Sequence, residues 1–291
     1  MASPNGNATD SSQESAPHIE FSKEETIAAV KDFFDFVTKM YVDEGAFESP
    51  PEGGWPNITS ESMKDFGKTD EVVELLRHLP YPSADYSDDR PELMPAMPFA
   101  AFQHDIGLVE NHGLHIMTEG MMYKHVPPHI VGLTKRPIND HGVLLDTKEG
   151  VVWWHEAAYE FVEMSPFPTI RLPDSDEDMT PGERHWRPGC DTVWTIPDFF
   201  ATLKHNFKEL HFVPMSRRRV VDGWYGIDED APEHDFQRAV EMVKGIYREH
   251  GWPDLERYRK KDCLKAIHIA LRDNFPGEED EEAEELLEND A

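Results

Sequence analysis

The chain has 291 residues, of which 38% are hydrophobic and 30% are charged, and its formal net charge is −30. This length and hydrophobic content suffice for a sizeable core, in one large domain or two small ones. A negative field of this size repels phosphate backbones and anionic lipid headgroups, so we expect neither nucleic acid nor a membrane as the main partner. A protein partner with a basic surface suits the charge better.

Both ends of the chain have compositions that argue against packing. Residues 1–18 are rich in Ser, Asn, Thr and Pro without the features of a secretory signal, and residues 277–291 are strongly acidic. Nine carboxylates lie within 278–291, so the rest of the chain still carries −21. No run approaches the ~18 apolar residues of a membrane span. We predict two disordered tails around a single α+β domain at 19–276. We also expect a cytoplasmic location, with a nuclear one as the alternative.

The first predicted helix runs from about Lys23 to Val42. Ser22 and Glu25 form a capping box, and apolar residues follow at helical spacing. Caps and apolar runs then predict two more helices: a short one from Thr59 or Ser60 to Gly67, and one that Thr69 caps and Pro80 ends. An irregular loop at 80–98 and an edge strand over Met97–Gln103 should follow.

The stretch Gly142–Trp154 predicts a β-hairpin at the centre of the only substantial sheet. Two apolar runs flank a polar turn that ends at Gly150, and glycine suits the left-handed conformation common at that point. Trp153 and Trp154 should face opposite ways, because side chains alternate along a strand. We expect one of them in the core and the other to tolerate truncation much better.

Further strands are predicted at 130–133 and 193–196, on either side of the hairpin in sequence. The second half should also contain a mobile acidic insertion at Asp174–Gly189, a helix that begins at Pro197, a helix from Pro232 to a cap at Gly251, and a last helix capped by Asp254. Helices before and after a small antiparallel sheet indicate the α+β class rather than alternating α/β.

Histidine is concentrated in one segment, with six imidazoles in residues 104–141 against about two expected from the whole-chain frequency. His112 with His115, and His125 with His129, have spacings that can serve a metal. The Pro-Pro dipeptide between the second pair denies it a helix, and no His-Glu-x-x-His pattern occurs. We favour solvated or capping histidines, and keep these four as candidate metal ligands.

Other catalytic patterns are missing from the sequence, which has no Gly-rich phosphate loop and no Gly-x-Ser-x-Gly elbow. Cys190 has no basic neighbour in sequence to activate it, and Cys263 falls within a helical pattern as a packing residue. The adjacent His155 and Glu156 would point to opposite sheet faces. The basic run Arg217–Arg219 should satisfy nearby carboxylates, with phosphate capture as the alternative. We predict no catalytic residue and no cofactor.

Three segments together resemble the pattern of the SUKH superfamily. That pattern is a helix near a Leu-Pro, a strand ending in Leu-Asp before a Gly-Val turn, and a closing aromatic helix, found here at Val73–Pro80, Gly142–Trp154 and Trp194–Phe200. SUKH proteins are generally non-enzymatic interaction modules, among them bacterial toxin-immunity proteins and fungal regulators linked to cell-wall synthesis. The resemblance implies binding and supplies no catalytic residues.

Most of residues 20–275 is also similar to a group of uncharacterised fungal proteins. Their Gly-Trp-Pro, Pro-Pro-His and Glu-His-Gly-Trp-Pro-Asp stretches are matched at Gly54–Pro56, Pro127–His129 and Glu249–Asp254. We thus expect a regulatory or scaffold-like interaction protein. The alternatives are a metal-dependent enzyme that uses the histidine-rich segment, and an accessory protein that binds a small apolar ligand. Three imidazoles within ligand distance would favour the enzyme, and an apolar pocket without titratable groups would favour the ligand-binding protein.

Overall fold

A computed structural model describes the chain in nine stretches: 19–84, 90–135, 142–155, 159–163, 165–170, 179–180, 182–187, 193–224 and 234–276. Both predicted tails lie outside these residues, as do Cys190, Glu156, His141 and the acidic run 174–178.

Eight α-helices lie within the described residues: α1 (Lys23–Met40), α2 (Asp70–His78), α3 (Phe102–Asp105), α4 (Gly113–Glu119), α5 (Tyr159–Glu163), α6 (Ile196–Glu209), α7 (His234–Glu249) and α8 (Lys260–Asn274). The strands in the same residues are β1 (Phe47–Glu48), β2 (Tyr81–Pro82), β3 (Glu92–Met94), β4 (Met97–Pro98), β5 (Ile130–Gly132), β6 (Gly142–Asp146), β7 (Val151–His155), β8 (Val193–Thr195), β9 (Phe212–Pro214) and β10 (Val220–Asp222).

The largest sheet among these strands is an antiparallel meander in the order β5-β6-β7-β8, and three two-stranded sheets accompany it. Helices precede and follow it, so the predicted α+β class is confirmed. The hairpin of β6 and β7 is at its centre, as predicted. Gly150 ends the turn with φ +69°, and its N–H donates to the Asp146 carbonyl at 3.0 Å.

The sheet is covered on both faces. Its inner face contributes Val131, Val143, Val152, Trp154 and Trp194 to the main core. Its outer face contributes Ile130, Leu144, Val151, Trp153 and Val193 to a smaller cluster. Trp153 and Trp154 are each only 5% exposed, one in each cluster. Alternation along the strand was therefore predicted correctly, whereas the expectation that one tryptophan would lie outside a core was wrong.

The main core joins the two ends of the described chain, because it contains side chains from α1 through α8. The predicted first helix is confirmed: the Ser22 hydroxyl accepts a hydrogen bond from the Glu25 N–H at 3.2 Å, and the helix ends at Met40, two residues before Val42. Thr69 caps α2 as predicted, since its hydroxyl accepts from the Val72 N–H at 3.3 Å.

The last helix begins later than predicted. Asp254 does not cap it, because α8 starts at Lys260 and the Asp254 carboxylate instead accepts the N–H of Glu256 within a preceding turn. Lys260 reaches back to the C-terminus of α1, where its ammonium donates to the carbonyls of Thr38 and Val42 at 2.7 and 2.6 Å. This contact satisfies carbonyls at the C-terminus of α1 and ties the first residue of α8 to that end of the helix, and no local sequence pattern predicts it.

Two other predicted elements differ from the structure. The edge strand predicted over Met97–Gln103 is shorter: β4 is followed by an antiparallel bridge between Phe99 and Thr134, and the chain turns into α3 at Phe102. The cause is Asp105, whose carboxylate accepts the Ala101 N–H at 3.2 Å and pairs with both terminal nitrogens of Arg90. The predicted insertion is not uniformly polar, because the buried Trp186 follows a short 3-10 helix within it.

Candidate functional site

The four candidate metal histidines lie in three places. His112 and His115 are neighbours, with ring centroids 5.7 Å apart. His125 stacks on His185 at 4.1 Å, and His129 lies 3.8 Å from the carboxylate of Asp146. In the part of the chain that the structure describes, no group of three or more His, Cys, Asp or Glu side chains is arranged to hold a metal ion.

His115 belongs to a buried polar cluster that holds α4 against the residues before α2. Its ring contacts the Phe66 ring at 4.6 Å, and burial, followed by the nearby Lys68, lowers its pKa to about 4. Beside it, Lys68 and Glu119 form an ion pair at 2.6 Å with almost no exposure of either side chain. Burial lowers the pKa of Lys68, although Glu119 acts in the opposite direction. The cluster joins two elements of the core and has the character of a structural contact.

A cleft on the outer face of the four-stranded sheet is the strongest candidate for a binding site. We call it the tryptophan cleft, and its lining residues are Ile19, Pro127, His129, Ile130, Asp146, Lys148, Glu149, Val151, Trp153, Ile170, Thr180, Glu183, Trp186, Arg187 and Val193. Its volume of about 570 Å³ falls within the usual range of ligand sites.

The floor of the tryptophan cleft follows from strand register. Trp153 is paired with Val193 across β7 and β8, and Asp146 is paired with both Ile130 and Val151. With a period of two, these side chains all point to the outer face. The α4 helix approaches the same face closely, since a Cβ on Gly132 would lie 2.0 Å from the Thr118 carbonyl oxygen. The floor is therefore apolar, with a single carboxylate at the end near the hairpin turn.

Asp146 connects the hairpin turn to the rim. Its carboxylate accepts the N–H groups of Lys148 and Glu149 at 2.9 and 3.0 Å, and His129 Nε2 lies 3.8 Å from the same oxygen. Burial raises its pKa, opposed by these hydrogen bonds and by His129. The Leu-Asp end of this strand could be read from the sequence, but the approach of Asp146 to His129 could not, because it depends on pairing between β5 and β6.

The segment around Trp186 forms the wall of the tryptophan cleft. This segment was predicted to be part of a mobile insertion. The Trp186 ring meets the Trp153 ring at 5.4 Å and 82°, an edge-to-face contact. The Arg187 guanidinium lies over the Trp153 ring at 5.4 Å from its centroid. Ahead of the 3-10 helix, the Glu183 carboxylate accepts the Thr180 N–H at 2.8 Å and the Thr180 hydroxyl accepts the Glu183 N–H at 3.3 Å, which is the hydrogen-bond pattern of a capping box. That Thr-x-x-Glu spacing was the sequence signal that could have identified this wall.

The rim combines both signs of charge. Lys148 pairs with Glu149 at 2.8 Å, and Arg187 lies 3.8 Å from Glu183. The hydrogen bond from Thr180 is the main cause that lowers the pKa of Glu183, so this carboxylate is ionised at neutral pH. The described lining contains no Ser or Cys that could act as a nucleophile. The arrangement can hold an apolar group on the floor and a cation at the rim.

A larger cavity of about 720 Å³ lies between the start of α1 and α2. Most of its lining is charged or hydroxylated, and part of this charge is already paired, since Lys23 lies 3.1 Å from the Glu74 carboxylate. Phe21 is the one aromatic side chain among its lining residues, and we regard the tryptophan cleft, with its two tryptophans, as the better candidate.

The stretches Gly54–Pro56, Pro127–His129 and Glu249–Asp254 stabilise helix ends. The Trp55 indole N–H donates to the Leu79 carbonyl at the end of α2, at 2.8 Å. The Trp252 indole N–H donates to the Phe207 carbonyl near the end of α6, at 2.9 Å. The Pro128 carbonyl accepts the N–H of Thr69, the residue that caps α2. These stretches are therefore part of the architecture, and Pro127 and His129 also line the tryptophan cleft.

The remaining candidates lie away from the tryptophan cleft. Arg217 pairs with Asp43 at 2.7 Å, as expected for a basic spot that satisfies a carboxylate, and Arg219 lies over the Phe236 ring. Cys263 is buried in the main core, and burial raises its pKa to about 12. His155 lies at the end of β7 and is nearly buried.

Within the described residues, no helix is long and apolar enough to cross a membrane. Comparisons of the chain with protein-family models, with curated proteins and with solved structures found no match.

Proposed function

We propose that this protein is a non-enzymatic binding module that captures a basic segment of a partner protein in the tryptophan cleft. The observation that supports this most is the apolar floor around Trp153 beside the carboxylates of Glu149 and Glu183. An apolar side chain of the partner would lie on the floor, and its basic neighbours would meet the rim. The resemblance to SUKH interaction modules points to the same class of function.

Short-range contacts in the cleft should determine the affinity for the partner, while the net charge should mainly determine the association rate. Full burial of one apolar side chain contributes about 1.5–3 kcal/mol, while each partly exposed ion pair contributes about 0.2–1 kcal/mol. The net charge of −30 acts at longer range, where it accelerates the encounter with a basic partner. Binding should therefore weaken as salt rises, because the Debye length falls from ~10 Å at 0.1 M to ~3 Å at 1 M.

A fluorescein-labelled peptide of nine residues, with a central Leu flanked by Arg, provides a direct test by fluorescence anisotropy. The variant Glu149→Gln/Glu183→Gln should bind it roughly tenfold more weakly, since two rim pairs are lost at ~0.2–1 kcal/mol each. Gln at position 183 still suits the capping box, which limits structural damage.

The matched control is Glu209→Gln/Glu256→Gln, which changes the net charge by the same amount at exposed positions outside the cleft lining. It should bind almost as tightly as the wild type. Equal weakening by both double variants would show attraction by the overall charge alone and would refute the assignment to this cleft.

A small apolar ligand is the second candidate for the same cleft, because a volume of about 570 Å³ suits one. The titratable groups at the rim favour the basic segment over it. Capture of a hydrophobic fluorescent dye that the arginine peptide cannot displace would favour the small ligand. The metal-dependent enzyme gains no support from the geometry of the four candidate histidines, which are divided among three places.

A further inference from the structure

Asp146, the last residue of β6, has one carboxylate oxygen that the protein holds and one that it leaves open. Oδ1 accepts the N–H groups of Lys148 and Glu149 at 2.9 and 3.0 Å, whereas Oδ2 accepts no hydrogen bond from the described residues. The side chain is only 3% exposed, yet it belongs to the lining of the tryptophan cleft. An almost buried acceptor is costly to leave unpaired, so Oδ2 is a place where a bound partner can contribute a donor.

The negative charge of Asp146 is also only partly compensated within the protein. Among the described residues, His129 is the one basic side chain that forms a salt-bridge contact with the carboxylate, at 3.8 Å from Oδ1. The ammonium of Lys148 instead pairs with Glu149 at 2.8 Å. Burial raises the pKa of the Asp146 carboxyl, because its ionised form has lost much of its contact with water. A cation from the partner would stabilise that ionised form.

Strand register places Asp146 at a fixed distance from the part of the floor on which the partner's apolar side chain would lie. Asp146 is paired with Val151 across the hairpin, and Trp153 is two residues farther along β7 on the same face. Diagonal neighbours of this kind lie about 7–8 Å apart. In an extended peptide, residues i and i+2 point to one side and are ~6–7 Å apart. Such a segment can therefore place an apolar side chain on Trp153 and the side chain two positions away at Asp146.

We infer that Asp146 is the specificity-determining residue of the tryptophan cleft and accepts a lysine two positions from the apolar residue of the bound segment. This inference rests on the proposed function and defines its partner more closely. Arginine suits this position less well, because a guanidinium pairs best through two parallel hydrogen bonds that need both carboxylate oxygens. Oδ1 is already engaged by two N–H groups. The ammonium of lysine is compact and can pair with Oδ2 alone.

Two fluorescein-labelled peptides of nine residues and identical composition test this preference by fluorescence anisotropy. The first has lysines two positions before and after a central Leu and arginines directly beside that Leu. The second exchanges these lysines and arginines. Lysines on both sides of the Leu allow the peptide to bind in either chain direction. The wild type should bind the first peptide about fivefold more tightly than the second, which corresponds to ~1 kcal/mol.

The variant Asp146→Asn removes the charge and keeps a side-chain oxygen for the N–H groups of the hairpin turn. It should bind the two peptides equally. Asp222→Asn is the matched control, because Asp222 also ends a strand, β10, and its carboxylate accepts the N–H of Trp224 two residues later at 3.0 Å. Asp222 lies outside the cleft lining, so this variant changes the net charge by the same unit and should keep the fivefold preference.

A thermal melt of each variant verifies that it is folded. If Asp146→Asn does not fold, Asp146→Ser takes its place, since a hydroxyl can also accept an N–H two residues later.

The outcomes separate this inference from the proposed function. If the wild type binds both peptides equally, the inference is overturned and the proposed function stands. A preference that persists in a folded Asp146 variant would also overturn the inference, because another residue would then select the lysine. A preference that is lost in the Asp146 variant and kept in Asp222→Asn would support it. If the wild type binds neither peptide, both the proposed function and the inference fail.

Discussion

The buried ion pair between Lys68 and Glu119 should give a large and non-additive effect on stability. The two charged atoms are 2.6 Å apart, and the side chains are 2% and 0% exposed. Replacement of Glu119 by Gln leaves an ammonium buried without its counter-charge, which typically costs about 3–5 kcal/mol. Lys68→Met removes the cation beside the buried Glu119 carboxylate and should also be destabilising. The double variant Lys68→Met/Glu119→Leu removes both charges and should be neutral or more stable by up to ~4 kcal/mol.

Urea unfolding of the wild type, the two single variants and the double variant measures this difference through the midpoint and its slope. Independent sites add within about 0.5 kcal/mol, so a coupling of several kcal/mol is a clear signal. Single variants that each cost less than ~1 kcal/mol, or a double variant as unstable as the sum of the two, would refute the reasoning. That result would mean that the pair is hydrated in solution and does not hold α4 in place.

Three further predictions concern the sheet, pH and the chain ends. Trp153→Ala and Trp154→Ala should each lower the free energy of unfolding by ~3–5 kcal/mol, measured with urea, because both indoles are only 5% exposed. A variant that loses almost no stability would show that its face of the sheet does not pack in a core. The free energy of unfolding should decrease as pH falls from ~6.5 through about 4, because the pKa of His115 in the folded protein lies below that of an unfolded histidine. The variant His115→Phe should reduce this pH dependence, and an unchanged dependence would show that another group causes it. Deletion of residues 1–18 and 278–291 should leave the thermal midpoint nearly unchanged, because their composition offers little apolar surface to bury, and a drop of many degrees would show that one of them packs.

The elements that could be predicted from the sequence carry their own local signals. Ser22 and Thr69 cap helices that start where the spacing places them. The hairpin of β6 and β7 has the predicted turn, with Gly150 in the left-handed region. In each case the backbone conformation is set by residues within a few positions of one another. The α+β class followed from the order of these elements.

Features that depend on distant contacts were predicted less well. Lys260, the first residue of α8, donates to carbonyls at the end of α1 that are more than 200 residues away in sequence. Trp153 is covered because Trp186, from a segment that looked polar, packs on the outer face of the sheet. The tryptophan cleft is built from such contacts, and sequence spacing alone could not bring His129, Asp146 and Glu183 to one site.

The most direct test of the central claim is a titration of ¹⁵N-labelled protein with the arginine peptide, followed through the indole N–H signals of its seven tryptophans. Signals are assigned by single Trp→Phe variants. If the peptide lies in the tryptophan cleft, the signals of Trp153 and Trp186 should shift as it binds. Those of Trp55 and Trp252, whose N–H groups cap helices elsewhere, should stay in place. Binding that shifts Trp55 or Trp252 and leaves Trp153 and Trp186 unchanged would contradict the assignment of function to this cleft.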